Sequence, residues 1–133
     1  MSTPSQWQYF SKEELTCHCG KCGRMDMDDA FMGKIIMMRR ELGFPFIVTS
    51  GFRCPEYNGK PPFTTGEAGP HTTGHAMDIL VSHEGALRVI ESALHHGMTG
   101  IGVKQHGPGE TRYLHLDDLE APNYPRPNLW SYP

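Results

Sequence analysis

The spacing of apolar residues changes along this chain, and each change marks an element. From Asp28 or Asp29 to Leu42, the stretch DDAFMGKIIMMRREL places Phe31, Ile35, Met38 and Leu42 at intervals of three and four. Acids fill its first turn and Gly43 follows its end, which predicts an amphipathic helix whose Met-rich stripe is a flexible core face. Ahead of it, Ser11-Lys-Glu-Glu14 has capping-box spacing: the Ser hydroxyl and the Glu carboxylate satisfy orphan backbone N–H groups, and a short helix is expected to start there. The Cys/Gly segment that follows ends it.

A β-branched and aromatic run, Phe46-Ile-Val-Thr49, reads as a strand closed by Ser50-Gly51 with Arg53 just beyond the turn. Residues 54–70 are rich in Pro, Gly and polar side chains, a loop long enough to be functional. His75 to Val81 predicts a second strand. Ser82 is the expected cap of a second long helix, with Ala86, Val89, Ile90, Ala93 and Leu94 on its apolar face and Gly97 past its end. Gly100–Val103 and Tyr113–Asp117 read as third and fourth strands around a Gly107-Pro-Gly-Glu110 turn. From Pro122 to Pro133, prolines interleaved with Tyr124, Trp130 and Tyr132 read as an extended arm that can pack through its aromatics and has no chemistry of its own. Helices mixed with hairpin-linked strands predict an α+β fold with a small, mostly antiparallel sheet.

Length adds one constraint: 133 residues suit one domain with one core, expected to act as a monomer. Twelve basic against 15 acidic residues, with no basic run, point away from nucleic acid and from anionic membrane surfaces. No apolar segment approaches the roughly 20 residues of a membrane span, and the N-terminus lacks a secretory pattern. The expectation is synthesis in the cytoplasm, with another factor releasing the protein if it acts outside. In that setting the four cysteines, Cys17, Cys19, Cys22 and Cys54, divide between free thiols and a structural zinc, with a disulfide least expected.

The polar residues inside the strand patterns carry the chemistry. In YLHLDD, Tyr113, His115 and Asp117 share one strand face while Leu114 and Leu116 share the other. In HAMDIL, Asp78 shares a face with Ala76 and Leu80, and His71 at a Gly-flanked bend can fold back toward it. Two imidazoles and a carboxylate around an open position form a common catalytic zinc set, and His71, Asp78 and His115 supply those groups. The alternative is that Asp78 pairs with Arg53 and the histidines cap loops.

SGFRCPEYN at 50–58, HTTGHAMD at 71–78, GIGV at 100–103 and YLHLD at 113–117 resemble the signature blocks of the D-alanyl-D-alanine carboxypeptidase type of zinc peptidase. That group includes vancomycin-resistance dipeptidases and phage endolysins and shares the hedgehog fold. YFSKEEL and RRELGFPF are similar to its N-terminal part, so the resemblance spans about residues 9–118 and leaves 119–133 as the arm. It implies zinc bound by His71, Asp78 and His115, with Arg53 stabilising the substrate or its tetrahedral intermediate.

The chain departs from that pattern at Arg112, where many relatives carry the acidic general base, and at Gly69, where many carry Ser. Asp117 is then the first candidate base and Glu110 the second, with Asp117 alternatively orienting His115. His75, often Arg in the family, is expected to be structural or to support a ligand; Tyr57, Asn58 and Tyr113 are expected to shape the cleft. The implied function is a zinc metallopeptidase cutting the peptide stem of peptidoglycan, as a carboxypeptidase or endopeptidase of phage type. Its rival is an inactive, zinc-stabilised cell-wall or partner-binding module of the same fold.

Overall fold

The computed structural model describes residues 2–133. The capping box forms as expected and starts α1 (Lys12–Leu15), with the Ser11 hydroxyl accepting from the Glu14 N–H and the Glu14 carboxylate accepting from the Ser11 N–H. In α2 (Asp29–Leu42), the Asp28 side chain accepts from the Phe31 N–H, and Gly43 closes the helix in the left-handed conformation at φ 76°. Phe31, Met32, Ile35 and Met38 are fully buried, while Leu42 is half-buried at the end of the stripe.

The chain continues through β1 (Ile47–Ser50), the short α3 (Pro55–Asn58), β2 (Ala76–Leu80), α4 (His83–His95), β3 (Gly100–Lys104), β4 (Tyr113–Asp117) and β5 (Asn128–Ser131). Two expectations about α4 are corrected. Ser82 occupies the cap position but its side chain makes no capping bond, and Leu94 lies on the solvent side, 62% exposed. The buried face is the narrower stripe of Ala86, Val89 and Ala93, with Ser92 beside it. No helix among the described residues is long and apolar enough to cross a membrane.

The strands form one sheet in the order β1-β2-β4-β3-β5, antiparallel except for the parallel β3/β5 pair, so the fold is α+β. Alternation divides the sheet into two unlike faces. Met77, Ile79, Leu114, Leu116 and Ile101 are buried in the core with α2 and α4. The other face carries Asp78, Tyr113, His115 and Asp117, with Gly100 and Gly102 as flat ground next to them. The register sets Asp78 opposite His115, Gly102 opposite His115, and both Ala76 and Gly100 opposite Asp117.

The extended C-terminal arm contains the fifth strand, and its aromatics pack onto the sheet. Gly102 pairs with Trp130, and a Cβ at Gly102 would stand 2.6 Å from both Trp130 Nε1 and Tyr132 Oη. A Cβ at Gly100 would meet Asp117 and the Arg126 guanidinium. The two glycines of GIGV therefore let the C-terminal side chains lie down on the polar face. Prolines 125 and 127 obscured that strand in the sequence; β5 is an edge strand, where proline beside the ladder is tolerated.

Candidate metal centre

Three elements deliver the central cluster. His71 sits in a 3-10 turn, Pro70–Thr73, ended by Gly74 at φ 78°, where a side chain would collide with the Asp26 carbonyl. Asp78 and His115 are cross-strand partners on β2 and β4. His71 Nε2 lies 3.2 Å and His115 Nδ1 3.1 Å from the same oxygen, Asp78 Oδ1. The two imidazoles meet edge to face, with ring centroids 5.1 Å apart.

The outer side of each ring fixes its tautomer. His71 Nδ1 is 2.8 Å from the Gly51 carbonyl, which can only accept, so Nδ1 carries the hydrogen and donates. His115 Nε2 is 2.7 Å from Asp117 Oδ2 and donates to it. The remaining nitrogens thus turn bare lone pairs toward a carboxylate oxygen. Three acceptors facing one another repel unless a cation stands among them, so the donor set fits a bound metal, with a proton as its stand-in when no metal is present.

When a proton stands in for the metal, the three groups act on one another's charge. Burial works to raise the Asp78 carboxyl, but the two histidines outweigh it and hold it well below the usual carboxylate range. Burial opposes the charged form of His115, but its hydrogen bonds to Asp117 and Asp78 prevail and raise its pKa.

Arg53 reaches the cluster from the turn after β1. Its Nε donates to Ser50 Oγ and its NH1 to Asn58 Oδ1, both at 2.9 Å; its NH2 lies 3.5 Å from Asp78 Oδ2, and its guanidinium stacks 4.1 Å over the Phe63 ring. Asn58, completely buried, uses its amide N–H groups on Thr65 Oγ1 and the Gly66 carbonyl, so it fixes the 54–70 loop beneath Arg53. This explains Gly69: a Cβ there would stand 2.7 Å from the Asn58 amide nitrogen and crowd the Thr65 side chain as well. Thr65 and Asn58 take the space a larger residue would need.

A cavity of about 630 Å³ opens over these groups, walled by Arg53, His71, Asp78 and His115 on one side and by Phe63, Tyr113, Trp130 and Tyr132 on others. The sequence reading missed Phe63, Arg126, Trp130 and Tyr132. The available signal was the alternation of Trp130 and Tyr132 in NLWSYP, a two-residue period that survives beside the prolines.

The structure does not bring every expected residue to the cavity. Asp117 lies behind His115 with no solvent exposure: Oδ1 accepts from Arg126 Nε and the Leu119 N–H, and Oδ2 from His115 Nε2 and Arg126 NH2. Burial works to raise its carboxyl, but the hydrogen bonds from His115 and Arg126 hold it at about 2. Four donors occupy its two oxygens and it does not line the cavity, a placement that suits a group holding His115 from behind rather than the expected base. Glu110 is exposed in the 3-10 turn Gly109–Thr111, outside the cavity, and Arg112 donates from Nε to the Gly107 carbonyl.

His75 faces away from the cluster, its Nδ1 2.8 Å from Asp118 Oδ1, and Asp118 also pairs with Lys34 of α2. It pins the start of β2 to that helix. Tyr57 stands behind the cavity wall, edge-on to Phe63 at 5.0 Å. Cys17, Cys19, Cys22 and Cys54 gather elsewhere, on the far side of the Arg53 turn.

Comparison with curated proteins gives no match. Comparison with protein families gives one, whose model, described as Peptidase M15, covers residues 8–117 and so takes in the capping box, α2, the Arg53 turn and all three members of the cluster. The chain belongs to the peptidase M15 family.

Proposed function

We propose that this chain is a zinc-dependent peptidase that hydrolyses an amide bond in the peptide stem of bacterial peptidoglycan, as a D,D-carboxypeptidase or an endopeptidase. The observation that carries this reading is the convergence of His71 Nε2, Asp78 Oδ1 and His115 Nδ1, their lone pairs turned together at the wall of a cavity. Zinc held there supplies Lewis acidity to a scissile carbonyl and to an attacking water.

The chain's own side chains account for the rest. Arg53, held by Ser50, Asn58 and Phe63, presents a fixed guanidinium to the cavity, suited to a substrate carboxylate or to an oxyanion. Burial raises the phenols of Tyr113 and Tyr132, so both stay protonated and can donate to charge developing on oxygen. Trp130, 5.1 Å from His115 ring to ring, walls the cavity beside the cluster with an apolar surface. Asp117 and Arg126 hold the His115 ring from behind.

One observation favours a second reading. Among the described residues lining the cavity, Asp78 carries the sole carboxylate, so no separate acidic base stands beside the metal position. On that reading the chain is a zinc-stabilised wall-binding module without turnover. The two part on one experiment: incubation with purified peptidoglycan and defined stem peptides, followed by mass analysis of the products. Fragment release that stops on chelation and returns with zinc supports the peptidase and identifies the bond cut. Wall binding with no fragment at full zinc loading supports the module.

A further inference from the structure

We propose that Cys17, Cys19, Cys22 and Cys54 bind a second zinc ion, a closed structural site that ties the N-terminal loop to the turn carrying Arg53. All four Sγ atoms lie within 4.8 Å of one another, and none is in a disulfide. Four thiolates arranged tetrahedrally at a Zn–S distance of about 2.3 Å would stand about 3.8 Å apart, so the observed group needs only a small contraction to close on an ion. The set contains no oxygen or nitrogen donor, and soft thiolates select zinc among common divalent ions.

The backbone around the sulfurs is arranged to stabilise negative charge on them. The N–H groups of Lys21 and Cys22 donate to Cys19 Sγ at 3.4 and 3.3 Å, that of Arg24 to Cys22 Sγ at 3.4 Å, and that of Cys54 to Cys17 Sγ at 3.3 Å. Gly20 and Gly23 make this possible: each follows a cysteine and takes a left-handed φ, 76° and 63°, so the chain doubles back over the sulfur before it. Neutral thiols packed for their apolar character would gain little from four aimed N–H groups. Thiolates on a metal gain a charge-assisted bond from each.

Apart from the burial of Cys17 in the core and the Arg24 guanidinium 4.9 Å over the Phe52 ring, little holds the segment in shape. Residues 17–24 form no helix or strand, and the loop is closed by a single backbone bond between them, from the Cys17 N–H to the Arg24 carbonyl. Cys54 comes from a distant part of the chain and directly follows Arg53. A metal at the four sulfurs therefore fixes that turn from the side opposite the cavity.

Metal analysis of the purified chain together with cobalt replacement tests the proposal independently of any turnover. The expected result is two zinc ions per chain, falling to one in His115→Ala and to one in Cys19→Ser. Cobalt-loaded protein should show intense thiolate-to-cobalt absorption in the near ultraviolet, kept in His115→Ala and absent from Cys19→Ser. If Cys19→Ser does not fold, the band in wild type and His115→Ala decides alone. The proposal is overturned by cobalt-loaded protein without that band, by a protein mass showing two disulfides, or by iron rather than zinc at the sulfurs.

Discussion

The two donor clusters of this molecule lie on opposite sides of the Arg53–Cys54 peptide and are built on different principles. His71, Asp78 and His115 are held by hydrogen bonds that do not involve an ion: the Gly51 carbonyl, Asp117 and the strand register keep each group aimed. The four cysteines sit largely on irregular chain, with Cys17 and Cys54 buried at the edge of the core and backbone N–H groups aimed at three of the sulfurs. A preassembled three-donor site leaves a coordination position for chemistry, whereas a four-sulfur site uses every position for itself. The first should outlast the loss of its ion. The second should not.

Removing one donor from the preassembled site gives the largest effect expected on activity. Asp78→Ala takes away the oxygen on which both histidines converge and the anionic partner of Arg53. Turnover on stem peptides should fall by more than the roughly 10–100-fold typical of an outer supporting group, and one zinc should be lost. Unchanged turnover would remove the His/Asp cluster from the chemistry altogether.

Chelation sharpens the comparison on stability. Stripping all metal should leave amide protection along β2 and β4 nearly intact while protection around residues 17–24 collapses. The unfolding midpoint should drop by about 10 °C or more, because binding energy at a structural zinc site is folding energy. Equal loss of protection at both clusters would show that the His/Asp site also depends on its ion for shape.

Arg126→Met probes what supports the preassembled site. The Arg126 guanidinium makes a two-point contact with the completely buried Asp117 carboxylate. Truncating the cation leaves a buried charge shared only with His115 and the Leu119 N–H, at a cost of about 3 kcal/mol in denaturant unfolding. A cost below about 1 kcal/mol would mean that the pair behaves as a surface bridge.

The same contrast explains how much could be read from the sequence. Both long helices and the β1, β3 and β4 strand patterns were legible because each rests on local sequence, with spacings of three and four in DDAFMGKIIMMRREL and of two in YLHLD, whereas the three-residue cluster was offered by its residue types and singled out by the family resemblance. What local spacing does not contain is which strand pairs with which. The β2/β4 register decides that Asp78 faces His115, and the parallel β3/β5 pairing decides that Arg126 reaches Asp117. Without that second fact Asp117 looked like an unoccupied acid beside a ligand, and the tail looked idle. Gly100 and Gly102 were visible, but their role as ground for Arg126 and Trp130 belongs to the tertiary structure.

The smallest effects test the role of the acids near β4. Asp117→Asn keeps an acceptor for the His115 N–H but loses the charge that favours it, so zinc affinity should weaken by about 10–100-fold while kcat at saturating zinc changes little. A general base would give the reverse, intact affinity with turnover down by about 10²-fold or more. Glu110→Gln alters an exposed side chain in a turn outside the cavity, so both zinc affinity and turnover should stay within about 2-fold of the parent, in line with the near-neutral effect of most surface substitutions. Measuring turnover of the two variants across a zinc titration separates the cases. A large kcat loss in Glu110→Gln at full zinc loading would mean that the Gly109–Thr111 turn swings over the cavity during the reaction and carries the base with it.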